Sequence, residues 1–71
     1  MEAKLNIYRI DGIEKRLVAT ESMTYENAQR RMHRLQDNWQ TWFTTRPVIK
    51  NDAMYLEYKN GAKWIYEIKK E

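Results

Sequence analysis

Apolar residues between positions 24 and 43 recur with the period of a helix. Tyr25, Ala28, Met32, Leu35, Trp39 and Trp42 are separated by three, four, three, four and three positions. Side chains at those spacings share one face of an α-helix, whereas a strand needs alternation by two. Thr24 is placed to cap the first free N–H groups, with Met23 and Ala28 set where a hydrophobic staple would pack. Glu26 suits the positive end of the helix dipole. Pro47 disfavours helical geometry at Arg46, so the helix is expected to end by Thr45. The spacing predicts one helix of about eighteen residues, roughly 27 Å long. No other stretch has this period, so every other element must pack on it.

The remaining segments read as strands. Residues 4–10 set Leu5 and Ile7 on one side and Asn6 and Tyr8 on the other. Asp11-Gly12 is a turn dipeptide, and a second strand follows around Lys15 to Thr20. A loop over 11–13 pairs Ile7 with Leu17 and Leu5 with Ala19, the register with the cleaner apolar face, with Gly12 or a bulge absorbing the extra residue. It leaves Ile13 exposed at the loop tip. Asn60-Gly61 is the strongest hairpin signal in the chain. A two-residue type I′ turn there joins 53–59 to 62–69 and sets Glu57 opposite Trp64 and Tyr55 opposite Tyr66. A further strand over 45–50 is joined through Asn51-Asp52, a weaker turn pair, and Pro47 marks it as an edge. Lys69, Lys70 and Glu71 are expected to fray.

The predicted fold class is α+β: a single amphipathic helix on an antiparallel sheet, in the order β-β-α-β-β-β, with residues 1–71 as one small domain. The register divides the sheet into two faces. Pro47, Ile49, Met54, Leu56, Tyr58 and Ile65 form an aliphatic face expected under the helix. Tyr55, Trp64 and Tyr66 share the other with Arg46, Lys50 and Lys59, and with Val48, Glu57 and Ile68. One helix covers one face, so the second stays open unless the sheet curls or the protein dimerises.

Composition sharpens this picture. A chain of 71 residues buries only about 60 % of its unfolded surface. There is no cysteine, hence no disulfide or thiolate zinc site, and 13 % of the residues are aromatic. Large rings are one way for so short a chain to build a core or an interface. No apolar run approaches the roughly 20 residues that span a bilayer. The charged, strand-like N-terminus does not read as a secretion signal, so a cytoplasmic protein is expected. The net charge of +3 divides as zero over 1–23, +2 over 24–46 and +1 over 47–71. The basic excess is therefore greatest around the helix.

Little catalytic chemistry is available. One serine (Ser22), one histidine (His33) and no cysteine leave few components for a nucleophilic triad. Gly12 and Gly61 are turn glycines rather than a phosphate loop, and there is no metal-ligand motif. The expectation is a non-enzymatic binding module with no cofactor and no metal. Its candidate partner-binding residues are Tyr55, Trp64, Tyr66, Arg46, Lys50 and Lys59. Tyrosine, tryptophan and arginine are enriched at binding hot spots, and the partner is another protein or a second copy in a homodimer. The alternative is weak nucleic-acid binding through Arg30, Arg31 and Arg34 on the helix, or through rings that stack on bases beside cations that hold phosphates. Glu57 within the aromatic face counts against phosphate. Trp39, Trp42 and Phe43 form a second aromatic cluster, expected to be core.

Overall fold

The strands at the two ends of the chain lie side by side in the middle of one sheet. A computed structural model describes residues 1–71. The elements are β1 (Glu2–Asp11), β2 (Glu14–Thr24), α1 (Tyr25–Asp37), the single turn α2 (Trp39–Trp42), β3 (Ile49–Lys50), β4 (Ala53–Glu57) and β5 (Lys63–Lys70). The sheet order is β2-β1-β5-β4-β3, antiparallel throughout. This is the expected α+β fold with its expected order of strands and helix, plus one helical turn. Pairing of β1 with β5 fastens the C-terminal residues: Lys70 lies opposite Ala3, and the Glu71 N–H donates to the Glu2 carbonyl at 3.2 Å. The tail expected to fray is instead part of the central strand pair.

The helix begins as expected and ends early. The Asn27 N–H donates to Thr24 Oγ1 at 3.2 Å, closing the cap. Asn38 stops α1: its backbone N–H and its side-chain Nδ2 both donate to the Arg34 carbonyl, at 3.1 and 3.0 Å. Asparagine competes with the helical backbone in this way, and the expected single helix to residue 43 becomes a helix, a break and one turn. The break changes which ring enters the core. Trp42, the last position of the predicted stripe, is 45 % exposed, whereas Phe43 is 1 % exposed. Phe43 is then held beside β4, bridged to Tyr58, with the Thr44 N–H donating to the Glu57 carbonyl at 3.0 Å. Gln36 Nε2 donates to the carbonyl of buried Pro47 at 2.9 Å and ties the following loop to α1. Of the strand expected over 45–50, only Ile49 and Lys50 are paired as strand.

The core lies between the helix and one side of the sheet. It consists of Ala3, Leu5, Ile7, Ala28, Met32, Phe43, Met54, Leu56 and Ile68. Three turns set the strand registers, and two of them differ from expectation. The β1–β2 turn is Gly12-Ile13, with Gly12 at φ +62 and Asp11 opposite Glu14. A bulge at Val18 then shifts the register, so Ile7 lies opposite Ala19 and Tyr8 opposite Leu17. The expected pairs Ile7–Leu17 and Leu5–Ala19 do not form. At the other end, Asn60-Gly61 belongs to a three-residue loop: Gly61, at φ +93, donates its N–H to the Tyr58 carbonyl, and the Tyr58 N–H donates to the Ala62 carbonyl. This is a turn followed by a left-handed residue, not a two-residue type I′ turn. The positive-φ pair that such a turn needs is found at Asn51 and Asp52, at +53 and +61.

The swap at the helix end makes a direct prediction. Phe43→Ala should lower the unfolding free energy by about 3–5 kcal/mol, and Trp42→Ala by no more than about 1 kcal/mol, in urea melts. Equal losses at the two positions would contradict the break at Asn38.

Candidate functional site

The loop at Asn60-Gly61 slips β5 by one residue against β4 and divides the predicted aromatic face. Tyr66 lies opposite Ile7 and Met54, and Trp64 opposite Arg9 and Leu56, on the helix side of the sheet. Both are half-buried against the core. Trp64 ends a chain of edge-to-face rings, Phe43–Tyr58–Trp64, with centroids 4.8 and 6.4 Å apart, and Arg9 Cζ sits 5.9 Å from its ring centre. Tyr55 alone faces the other way, 48 % exposed. Arg46 stands in the loop after α2, its guanidinium 3.9 Å from Asp37. Lys50 ends β3, and Lys59 lies in the β4–β5 loop. The six residues expected to act together are therefore spread over both sides of the sheet and two loops.

The slip also determines what the open face contains. Leu17, Tyr8, Ile65 and Tyr55 are successive register partners across β2, β1, β5 and β4. They form one row across four strands, on the side away from the helix. Leu17 is 53 % exposed. Tyr8 donates its hydroxyl to Glu67 Oε1 at 3.3 Å, and Lys15 Nζ lies 4.2 Å from its ring centre. The adjoining row on one side is Thr20, Asn6, Glu67, Ala53 and Lys50; on the other it is Lys15, Ile10, Lys63 and Glu57. An apolar strip thus runs between polar rows. Tyr8 was already placed opposite Leu5 and Ile7 by alternation alone. Leu17 and Ile65 needed the bulge and the loop geometry, which alternation does not carry.

The helix arginines do come together. Arg30, Arg31 and Arg34 line a shallow cleft of ≈ 300 Å³ with Met23 and Asn27, between the flank of α1 and the end of β2. Arg31 Nη1 donates to Glu21 Oε1 at 2.6 Å, and this bond raises the guanidinium pKa further. Arg30 Nη1 donates to Asn27 Oδ1 at 2.9 Å. Neither Arg30 nor Arg34 is ion-paired. His33 is exposed on the outer side of the helix.

A polar clasp holds the start of the helix to the β3–β4 turn. Tyr25 donates its hydroxyl to Asp52 Oδ1 at 2.6 Å and accepts from Gln29 Nε2 at 3.1 Å. Lys70 Nζ lies 4.7 Å from the Tyr25 ring centre and 3.9 Å from Asp52 Oδ2. The bond to Asp52 is the main cause that raises the Tyr25 pKa above its ordinary value. Tyr66 is raised as well, first by burial and then by neighbouring Tyr58. A wider depression of ≈ 460 Å³ lies between the two hairpin ends, lined by Arg9, Asp11, Asn60 and Lys63 among others. No three acidic or histidine side chains are grouped closely enough to hold a metal ion, and no helix is long and apolar enough to cross a membrane.

Comparison with protein-family models, with curated proteins and with solved structures returned no match. The surfaces must therefore be read from their own chemistry.

The two shifted tyrosines can be checked in alkali. In a titration followed by tyrosinate absorbance, the signal lost in Tyr25→Phe and in Tyr66→Phe should lie above the ordinary tyrosine value of about 10. Because the folded-state pKa of Tyr66 is raised, its contribution is fully present below the unfolded value of about 10 and is lost as pH rises through the folded value. Tyr66→Phe should flatten that alkaline loss of stability. Loss of signal at the ordinary value in either variant would contradict the assignment.

Proposed function

We propose that this protein is a non-enzymatic recognition module that binds another protein through the open face of its sheet. The observation that carries the reading is the Leu17–Tyr8–Ile65–Tyr55 row on the side away from the helix, exposed at Leu17 and Tyr55 and half-buried at Tyr8 and Ile65. An apolar centre between polar rows is the anatomy of a protein interface, and its two tyrosines are of a type enriched at hot spots. A cytoplasmic setting fits the cysteine-free composition.

A photo-crosslinking residue at position 55, on the face, should yield a discrete protein adduct in cells. The same residue at exposed position 48, outside the face, should not. Ile65→Lys should remove the adduct while the protein stays folded, with an unfolding free energy in urea melts lowered by no more than about 2 kcal/mol. No adduct at position 55, or an adduct indifferent to Ile65→Lys, would exclude this face as the binding surface.

A second reading rests on the arginine cleft. Arg30 and Arg34 point two uncompensated guanidinium groups at one shallow depression, a geometry suited to phosphate oxygens. Titration with single- and double-stranded oligonucleotides at two salt concentrations tests it. Binding that weakens steeply with salt and is lost in Arg30→Glu/Arg34→Glu supports a nucleic-acid partner. No binding at low salt removes it.

A further inference from the structure

The two edges of the sheet are treated differently. β3 is a two-residue strand that follows buried Pro47, so little backbone is left free there. β2 is eleven residues long, contains neither proline nor glycine, and pairs with β1 on one side only. A long edge strand presents a row of unpaired N–H and C=O groups, a ready template for another strand. Its one irregularity is the bulge at Val18.

The geometry points to a second copy of the same strand as the partner. We propose that two molecules pair their β2 strands antiparallel about a two-fold axis between Val18 and Ala19, joining two five-stranded sheets into one of ten. In this register Leu17 lies opposite Thr20 of the second copy, Arg16 opposite its Glu21 and Lys15 opposite its Ser22. Charge and the parity of the bulged strand agree on it, the parity showing in both the faces and the backbone.

The first is charge. The two-fold sets Arg16 against Glu21 of the other copy, twice, extending the Arg16–Glu14 and Arg31–Glu21 pairs each chain already makes, and brings no like charges opposite each other.

The second is parity, seen first in the faces. In an antiparallel pair, residues directly opposite share a face. In a regular strand, residues 16 and 21 lie on opposite faces, because they are an odd number of positions apart. The bulge corrects this. Through β1, Arg16 is partnered with Arg9 and Glu21 with Leu5, both on the helix side; Leu17 is partnered with Tyr8 and Thr20 with Asn6, both on the open side.

The same parity shows in the backbone. Hydrogen-bonded and non-bonded pairs alternate along an antiparallel ladder. The Tyr25 N–H donates to the Met1 carbonyl, so alternation turns the backbone groups of Ser22 and Thr20 outward. At the other end Asp11 and Glu14 flank the tight turn, so alternation turns those of Lys15 and Leu17 outward. These four are the residues the two-fold pairs with one another.

The test is sedimentation equilibrium over a wide concentration range, with circular dichroism and urea melts as the check on folding. Wild-type protein should dimerise. Arg16→Glu and Glu21→Arg should each weaken the dimer about tenfold or more, and the double variant should recover to within about threefold of wild type. Thr20→Pro removes an outward N–H that the monomer does not use, so it should give a folded monomer. If that variant does not fold, the charge-reversal set decides alone. A wild-type monomer at every concentration overturns the proposal, as does a dimer indifferent to the charge reversals or a double variant no better than the single ones. This pairing is independent of the open-face reading: Ile65→Lys should leave the dimer intact. A dimer that Ile65→Lys breaks and the charge reversals do not would be a face-to-face dimer, and would overturn the edge pairing.

Discussion

One helix must cover five strands, and most of the architecture follows from that shortage. α1 is thirteen residues long, about 20 Å, and a single helix shields only one side of the sheet. The buried side chains of β1, β4 and β5 are therefore gathered on a single side. The break at Asn38 extends the cover without lengthening the helix. It turns the chain so that Phe43 descends beside β4 and Pro47 seals the adjoining margin. The central places in the sheet fall to β1 and β5, whose Leu5 and Ile68 face each other beneath α1. An unbroken helix would have presented Trp42 to the sheet and left Phe43, the larger contributor to the core, at its shoulder.

Signals confined to a few neighbouring residues were legible in the sequence. The Thr24 cap, the face formed by Ala28 and Met32, and the existence and order of the strands needed only local rules. What escaped was decided by contacts between distant residues. Asn60-Gly61 suits a two-residue turn, yet pairing of Leu56 with Trp64 requires one residue more, and glycine serves the longer loop equally well. A bulge in the first hairpin was one way to absorb an extra residue, but alternation does not place it at Val18. Nor did the polarity of Asn38 suffice to show that its side chain would take the Arg34 carbonyl. These departures are each one residue in size. Two of them shift a strand register, and a shift of one residue exchanges the faces of a strand.

That sensitivity explains why the candidate site was only partly legible. Helical spacing alone brings Arg30, Arg31 and Arg34 to one cleft, so their grouping was legible. The aromatic face did not survive, because it depended on a register. The charge balance also bears on partners. Arg9, Arg16, Arg31 and Arg46 each have a carboxylate within 4 Å, which leaves only Arg30 and Arg34 of the six without one. A surface on which most guanidinium groups are already answered attracts polyanions weakly.

The pairing of β1 with β5 also sets the timing of folding during protein synthesis. β1 leaves the ribosome first and β5 last of the strands, yet they are neighbours at the centre of the sheet. Until Lys63–Lys70 has emerged, β1 has one bare edge, and the helix has no complete surface to settle on. The β1–β2 hairpin can form early, but hairpins alone are marginal in water. The loop that closes to bring β1 and β5 together is nearly the whole chain, a slow route to a nucleus. A nascent chain halted short of β5 therefore leaves Leu5 and Ile7 without the strand that lies beside them in the finished sheet.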